Sequence, residues 1–274
     1  MQGIKTFIPT EKKVAYIQAL LRVGFDTIDF GSFVSSKAIP QMQDTAEVLA
    51  RLDLSQTQSK LLAIIANTQG AIAASQHKAI QYLGFPFSIS ENFQMRNTHK
   101  TISESLVTLE EILTIADRSN KEVVAYLSMG FGNPYGDPWS VEIVGDWTEK
   151  LSNRGVKILS LSDTVGSSTP EMIEYLFSNL IPKYPKIEFG AHLHTTPEKW
   201  FEKIDAAYNA GCRRFDGAIQ GFGGCPMARD VLTGNMPTEK LVSYFTSKKE
   251  ETNIRAMSFE SAYNEASKLF GEFH

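Results

Sequence analysis

Residues 157–192, KILSLSDTVGSSTPEMIEYLFSNLIPKYPKIEFGAH, decide the fold. An apolar run, Lys157–Leu161, stops at the polar Ser162-Asp163-Thr164. Thr169-Pro170 then opens a helix, because proline is at home in the first helical turn, where its missing N–H would have had no partner. The helical pattern spans Thr169–Leu180, and a second apolar run, Ile187–His192, follows it. Two runs joined by a helix form a βαβ unit. Runs that are almost continuously apolar belong to parallel strands covered on both faces.

The same alternation extends outward in both directions. Further strands are predicted at Thr27–Gly31, Leu61–Ala66, Ile80–Phe87, Val123–Ser128 and Arg214–Ile219. Helices are predicted at Thr10–Val23, Pro40–Leu52, Gly70–Gln76, Ser103–Ala116, Ser140–Arg154, Glu198–Ala210 and Thr238–Thr246, with a C-terminal helical appendage near Phe259–Leu269. Glycines at Gly155 and Gly211 stop two of the helices. The linkers are too short for a domain boundary, so residues 1–274 read as one α/β domain. The right-handed crossover rule leaves an open doubly wound sheet or a closed (β/α)8 TIM barrel. A barrel would need one more strand than the chain shows, because the first clear element is the helix at Thr10.

Composition narrows the function. A net charge of -4, with 42% hydrophobic and 21% charged residues, describes an ordinary globular protein. Nothing in it favours nucleic acid or an anionic membrane as a partner. No apolar run is long enough to span a bilayer and the start has no basic-then-apolar pattern, so a cytoplasmic protein is expected. Only Cys212 and Cys225 occur, which rules out a disulfide framework.

Polar residues gather where the predicted strands end. Asp29 and Ser32 close the first, Asn67 follows the second, Asp163 and Thr164 the fifth, and His192-Leu193-His194 the sixth. In an extended strand residues two apart share a face, so both imidazoles converge on one point and suggest a metal site. An equally simple reading makes one a strand cap and the other a loop residue. Asp163 could serve chemistry or bond a turn. The loop Gly221-Phe222-Gly223-Gly224-Cys225-Pro226 could be a tight turn or a flap that closes on substrate, and Cys225 an inert or a reactive thiol. His77, His99 and His274 read as solvated.

Taken in order, five motifs are more specific than any one alone: Ser32-Phe33-Val34-Ser35, Ser162-Asp163-Thr164-Val165-Gly166, His192-Leu193-His194, Gly221-Phe222-Gly223-Gly224-Cys225-Pro226 and Gly234-Asn235. With them the chain resembles the 3-hydroxy-3-methylglutaryl-CoA lyase family of metal-dependent TIM-barrel lyases, from Gln2 to about Phe245. The resemblance implies a (β/α)8 barrel and a Mg2+ or Mn2+ ion held by His192, His194, Asn235 and an aspartate. It implies cleavage of a small-molecule acyl-CoA to acetyl-CoA and acetoacetate, in a family that is commonly dimeric. It also implies catalytic roles for Cys225, Asp163, Glu239 and Asp29, and substrate contacts from Ser32, Thr164, Asn67, Gly223 and Gly224. Two departures stand out. The family's Arg-Asp strand end would lie ahead of Met1, which predicts weak metal binding by the chain as written. Thr195 also replaces the Asp expected after His-x-His. A related metal-dependent aldolase or Claisen-type condensing enzyme, and a non-catalytic relative, are the alternatives.

Overall fold

The computed structural model describes residues 1–223 and 233–273. Helix α1 (Thr10–Leu21) leads into seven parallel strands laid side by side in chain order: β1 (Thr27–Ser32), β2 (Lys60–Ile64), β3 (Ile80–Ser88), β4 (Glu122–Ser128), β5 (Ile158–Ser162), β6 (Glu188–His192) and, beyond a short β7 (His194–Thr195), β8 (Arg214–Phe215). This is a TIM-barrel-type sheet, with β1 and β8 as its end strands. The crossovers carry α2 (Thr45–Arg51), α3 (Thr68–Ser75), α4 (Glu91–Thr98), α5 (Ile102–Arg118), α6 (Val141–Ser152), α7 (Pro170–Lys183) and α8 (Trp200–Asn209). The chain ends with β9 (Gly234–Asn235), α9 (Thr238–Ser247) and α10 (Ala256–Phe273).

Side-chain alternation divides the strands into two faces. Leu61, Ala63, Val123, Ala125, Leu127, Leu159, Leu161, Phe189, Ala191 and Leu193 are buried in the main core together with the apolar faces of the helices. Their neighbours in sequence, Leu62, Val124 and Ile158, pack with Tyr82, Ile64 and Tyr126 in a separate small cluster on the other face. That second face turns polar toward the carboxyl ends of the strands. By parity it receives Asp29, Ser160, His192 and Asp216.

Helix boundaries follow local chemistry. Thr169 caps α7 with Pro170 at its start, as the sequence predicts, whereas α5 begins ahead of the expected Ser103, capped by Thr101 in a reciprocal box with Glu104. The predicted helix at 40–52 divides into a 3-10 turn, Pro40–Met42, and α2. Asp44, at the join, accepts from Thr10 Oγ1 at 2.8 Å and pairs with the buried Lys13 ammonium at 2.7 Å. The unpredicted α4 is mostly polar and has little apolar periodicity. It starts where Ser90 accepts from Phe93 N and ends at His99 in the left-handed region. The predicted strand at 214–219 pairs with β6 only through Arg214 and Phe215. The chain then leaves the ladder, and Ala218 bridges to Pro237.

Helix α10 forms a second core with α1. Ala262, Ala266, Leu269 and Phe270 are buried with Tyr16, Val23 and Ile219. The Phe270 ring lies 5.7 Å from Tyr16 and 4.4 Å from Phe222, so it braces the segment that leads to the glycine loop. Phe270→Ala should therefore lower stability by about 3 kcal/mol. A urea unfolding curve whose midpoint does not move would refute that bracing.

Candidate metal and active site

The candidate site is built where β6, β7, β8 and β9 come together. β6 carries His192 on the inner face while Leu193 turns outward into the main core. β7 pairs antiparallel with β9, which sets His194 opposite Asn235 and Thr195 opposite Gly234. The two imidazole rings lie 5.6 Å apart, so both can approach one ion between them. The amide of Asn235 donates from Nδ2 to the Phe222 carbonyl at 2.9 Å, which presents Oδ1 as its acceptor end. Gly223 makes that approach possible: at φ +94°, any Cβ there would stand 2.9 Å from the Asn235 Nδ2 atom.

Electrostatics complete the picture. His192 Nδ1 lies 3.1 Å from Asp216 Oδ2, which also accepts from Ser160 Oγ at 3.3 Å. A carboxylate on Nδ1 fixes the tautomer that leaves Nε2 as the lone-pair donor, the arrangement usual for metal-ligating histidines. Burial alone would raise the Asp216 carboxyl, but the hydrogen bond and charge of His192, with Arg214, hold it below the ordinary value. Burial, then the neighbouring His192 and Lys203, push His194 down to about 3, so its imidazole is neutral and able to ligate near neutral pH. Asp29 lies on the inner face of the sheet and is itself exposed. Weakened solvation of its charge, then the Asp216 carboxylate, push it up to about 7.

These residues fit the nitrogen and amide-oxygen part of an octahedral divalent site. Among the described residues, no group of three or more His, Cys, Asp or Glu side chains is arranged to hold a metal. The donors brought together are the two imidazoles and one amide.

The other candidate residues occupy plainer positions. Asn67 caps α3, accepting from Gly70 N at 2.9 Å. Ser32 accepts from Val34 N at 3.1 Å, and Thr164 accepts from Met129 N at 2.9 Å. Glu239, in α9, accepts from Gln220 N at 2.9 Å. Asp163 is 1% exposed, pairs with Lys203 at 2.8 Å and accepts from Ser168 N at 3.0 Å. Cys225 and Gly224 lie outside the described residues. Sequence reasoning missed Asp216 and Tyr126, whose ring lies 5.4 Å from His192. An aspartate in a strand-like segment, two residues after Arg214 and so on the same face, was the available signal.

Two pH windows follow. The unfolded chain protonates His194 below about 6.5 and the folded chain only near 3, so this residue favours unfolding progressively as pH falls through that window. For Asp29 the sign reverses: the folded protein holds the proton from 3.8 up to about 7, so stability is lost as pH rises across that range. Asp29→Asn cannot ionise and should raise Tm at pH 8 while leaving it unchanged near pH 4. Thermal melts that give the same difference at both pH values would contradict this.

Comparison with known proteins gives the family. The HMGL-like family model matches residues 1–264. The hydroxymethylglutaryl-CoA lyase of Bacillus subtilis is 31% identical over 265 residues, covering 96% of this chain and 87% of the relative. The cytoplasmic 3-hydroxy-3-methylglutaryl-CoA lyase of Rattus norvegicus is 31% identical over 242 residues, covering 88% and 70%. The crystal structure of the Bacillus subtilis HMG-CoA lyase superposes with a TM-score of 0.91 at 31% identity, covering 98% of this chain and 90% of that one. An Acinetobacter baumannii HMG-CoA lyase, solved with coenzyme A and 3-methylmalate, gives 0.90 at 29% identity, covering 98% and 87%. With its parallel sheet and its histidine pair at the strand ends, the chain belongs to the HMGL-like family.

Proposed function

We propose that this chain cleaves the carbon–carbon bond of 3-hydroxy-3-methylglutaryl-CoA, giving acetyl-CoA and acetoacetate. The observation that carries the reading is the convergence of His192, His194 and Asn235 at the carboxyl ends of the strands, in a chain whose relatives are HMG-CoA lyases. The coenzyme A bound by the Acinetobacter relative supports an acyl-CoA substrate. The proposal includes Mg2+ or Mn2+ as the ion, a single lyase domain across the chain, a cytoplasmic setting like that of the rat relative, and a homodimer.

Mechanistically, the two imidazoles and the Asn235 amide oxygen would hold the divalent ion. When bound, the ion supplies Lewis acidity to the substrate's tertiary hydroxyl and a carbonyl oxygen. Asp216 holds the His192 ring in the required tautomer. Asp29, with a pKa of about 7, is suited to accept the hydroxyl proton near neutral pH. As that O–H bond breaks, its electron pair forms the ketone of acetoacetate, and the pair from the broken carbon–carbon bond passes to the acetyl-CoA enolate. Cys225 is assigned the proton that the enolate carbon then takes up. Asp163, Glu239, Ser32, Thr164 and Asn67 hold the loops around the site, Gly223 is assigned to the backbone near substrate, and Gly224 is assigned a substrate contact on the family resemblance alone.

Acetoacetate release from 3-hydroxy-3-methylglutaryl-CoA, measured with Mg2+ and with Mn2+, tests this reaction. His194→Ala should reduce the rate at least ~100-fold. Asp216→Asn should weaken Mn2+ binding by about 10- to 100-fold. Release that is independent of added metal, or unchanged in His194→Ala, would exclude this mechanism.

A further inference from the structure

Lys203 is a buried charge that the chemistry proposed above does not use. It projects from α8, is 1% exposed, and its ammonium has three acceptors: Asp163 Oδ2 at 2.8 Å, the His194 carbonyl at 2.8 Å and the Gly166 carbonyl at 3.2 Å. An ammonium has three N–H donors, so the set is complete. The three acceptors come from two different strand ends. Asp163 and Gly166 lie in the loop after β5, and His194 begins β7.

The link reaches further. Gly166 has φ +73°, and a Cβ there would stand 2.6 Å from Thr233 Cγ2, so the loop packs tightly against the residue that precedes Gly234 and Asn235. Asp163 N donates to the His192 carbonyl at 2.9 Å, tying the loop to the other histidine as well. One ammonium therefore bonds the β5 loop and the His194 backbone directly, and that loop in turn bonds the His192 carbonyl and packs against Thr233. It holds the His194 backbone by its carbonyl, and the direction of that backbone sets where the imidazole points.

We propose that Lys203 is a positioning residue of the divalent-cation site, holding the β5 loop and the His194 backbone in the arrangement that lets His192, His194 and Asn235 meet one ion. The inference rests on the metal site proposed above. The competing view is that Lys203 only neutralises Asp163 inside the core. Removing the ammonium alone leaves the Asp163 carboxylate buried without its partner, which can unfold the chain. The comparison is therefore also made in a background where that charge is absent.

The experiment measures Mn2+ binding by electron paramagnetic resonance, with folding checked by circular dichroism, in wild type, His194→Ala, Lys203→Met, Asp163→Asn and Asp163→Asn/Lys203→Met. Lys203→Met should weaken Mn2+ binding by about 10-fold or more. The double variant should bind more weakly than Asp163→Asn by a similar factor. Equal affinities for the double variant and Asp163→Asn would overturn the positioning role and leave Lys203 a charge-balancing core residue. If instead wild type binds no Mn2+, or His194→Ala binds it as wild type does, the metal site itself fails and the Lys203 proposal falls with it.

Discussion

The constraint on which the rest depends is the two-residue alternation of side chains along parallel strands. Each strand in this sheet must satisfy two environments at once, an outer face against helices and an inner face against the other strands. The outer positions are Leu, Ile, Val, Ala and Phe almost without exception. That leaves the inner positions near the strand ends free to carry Asp29, Tyr126, Ser160, His192 and Asp216. A shift of one residue in any of these strands would bury its polar groups among the helices and expose its apolar ones. Site and core are thus held by the same register.

Within that frame, polar groups are secured by partners rather than by burial alone. Asp216 orients His192 and is itself held low by that contact. Asp163 finds its counter-charge in Lys203, and both lie in the core without a stranded charge. Asp29 is the contrasting case. It stands near another carboxylate, Asp216, and its proton is held to about 7. Carboxylates that differ this much in environment can take different roles, one structural and one chemical.

The β-α alternation, the strand-end polar residues and the His-x-His geometry were legible because each depends on local pattern. Asn67 and Asp163 show where local pattern leaves two readings open. Both types occur at strand ends for chemistry and for capping, and only the partner distinguishes them. Asn67 caps a helix, while Asp163 pairs with a lysine 40 residues away. The helix α4 escaped notice because its residues carry too little apolar periodicity to mark a buried face. The short β7–β9 pair escaped because its strands are distant in sequence, and two residues leave no alternation to read.

The amino-acid sequence by itself determined the strand and helix order, the parity that points His192 and His194 to one face, and the family to which the chain belongs. These are local properties, written in spacing of two and of three to four residues. Tertiary structure decided which groups meet: Asn235 opposite His194, Asp216 on His192, and Lys203 beneath both strand ends. Those pairings depend on how strands align and helices dock, and only a folded chain brings residues so far apart within hydrogen-bond reach.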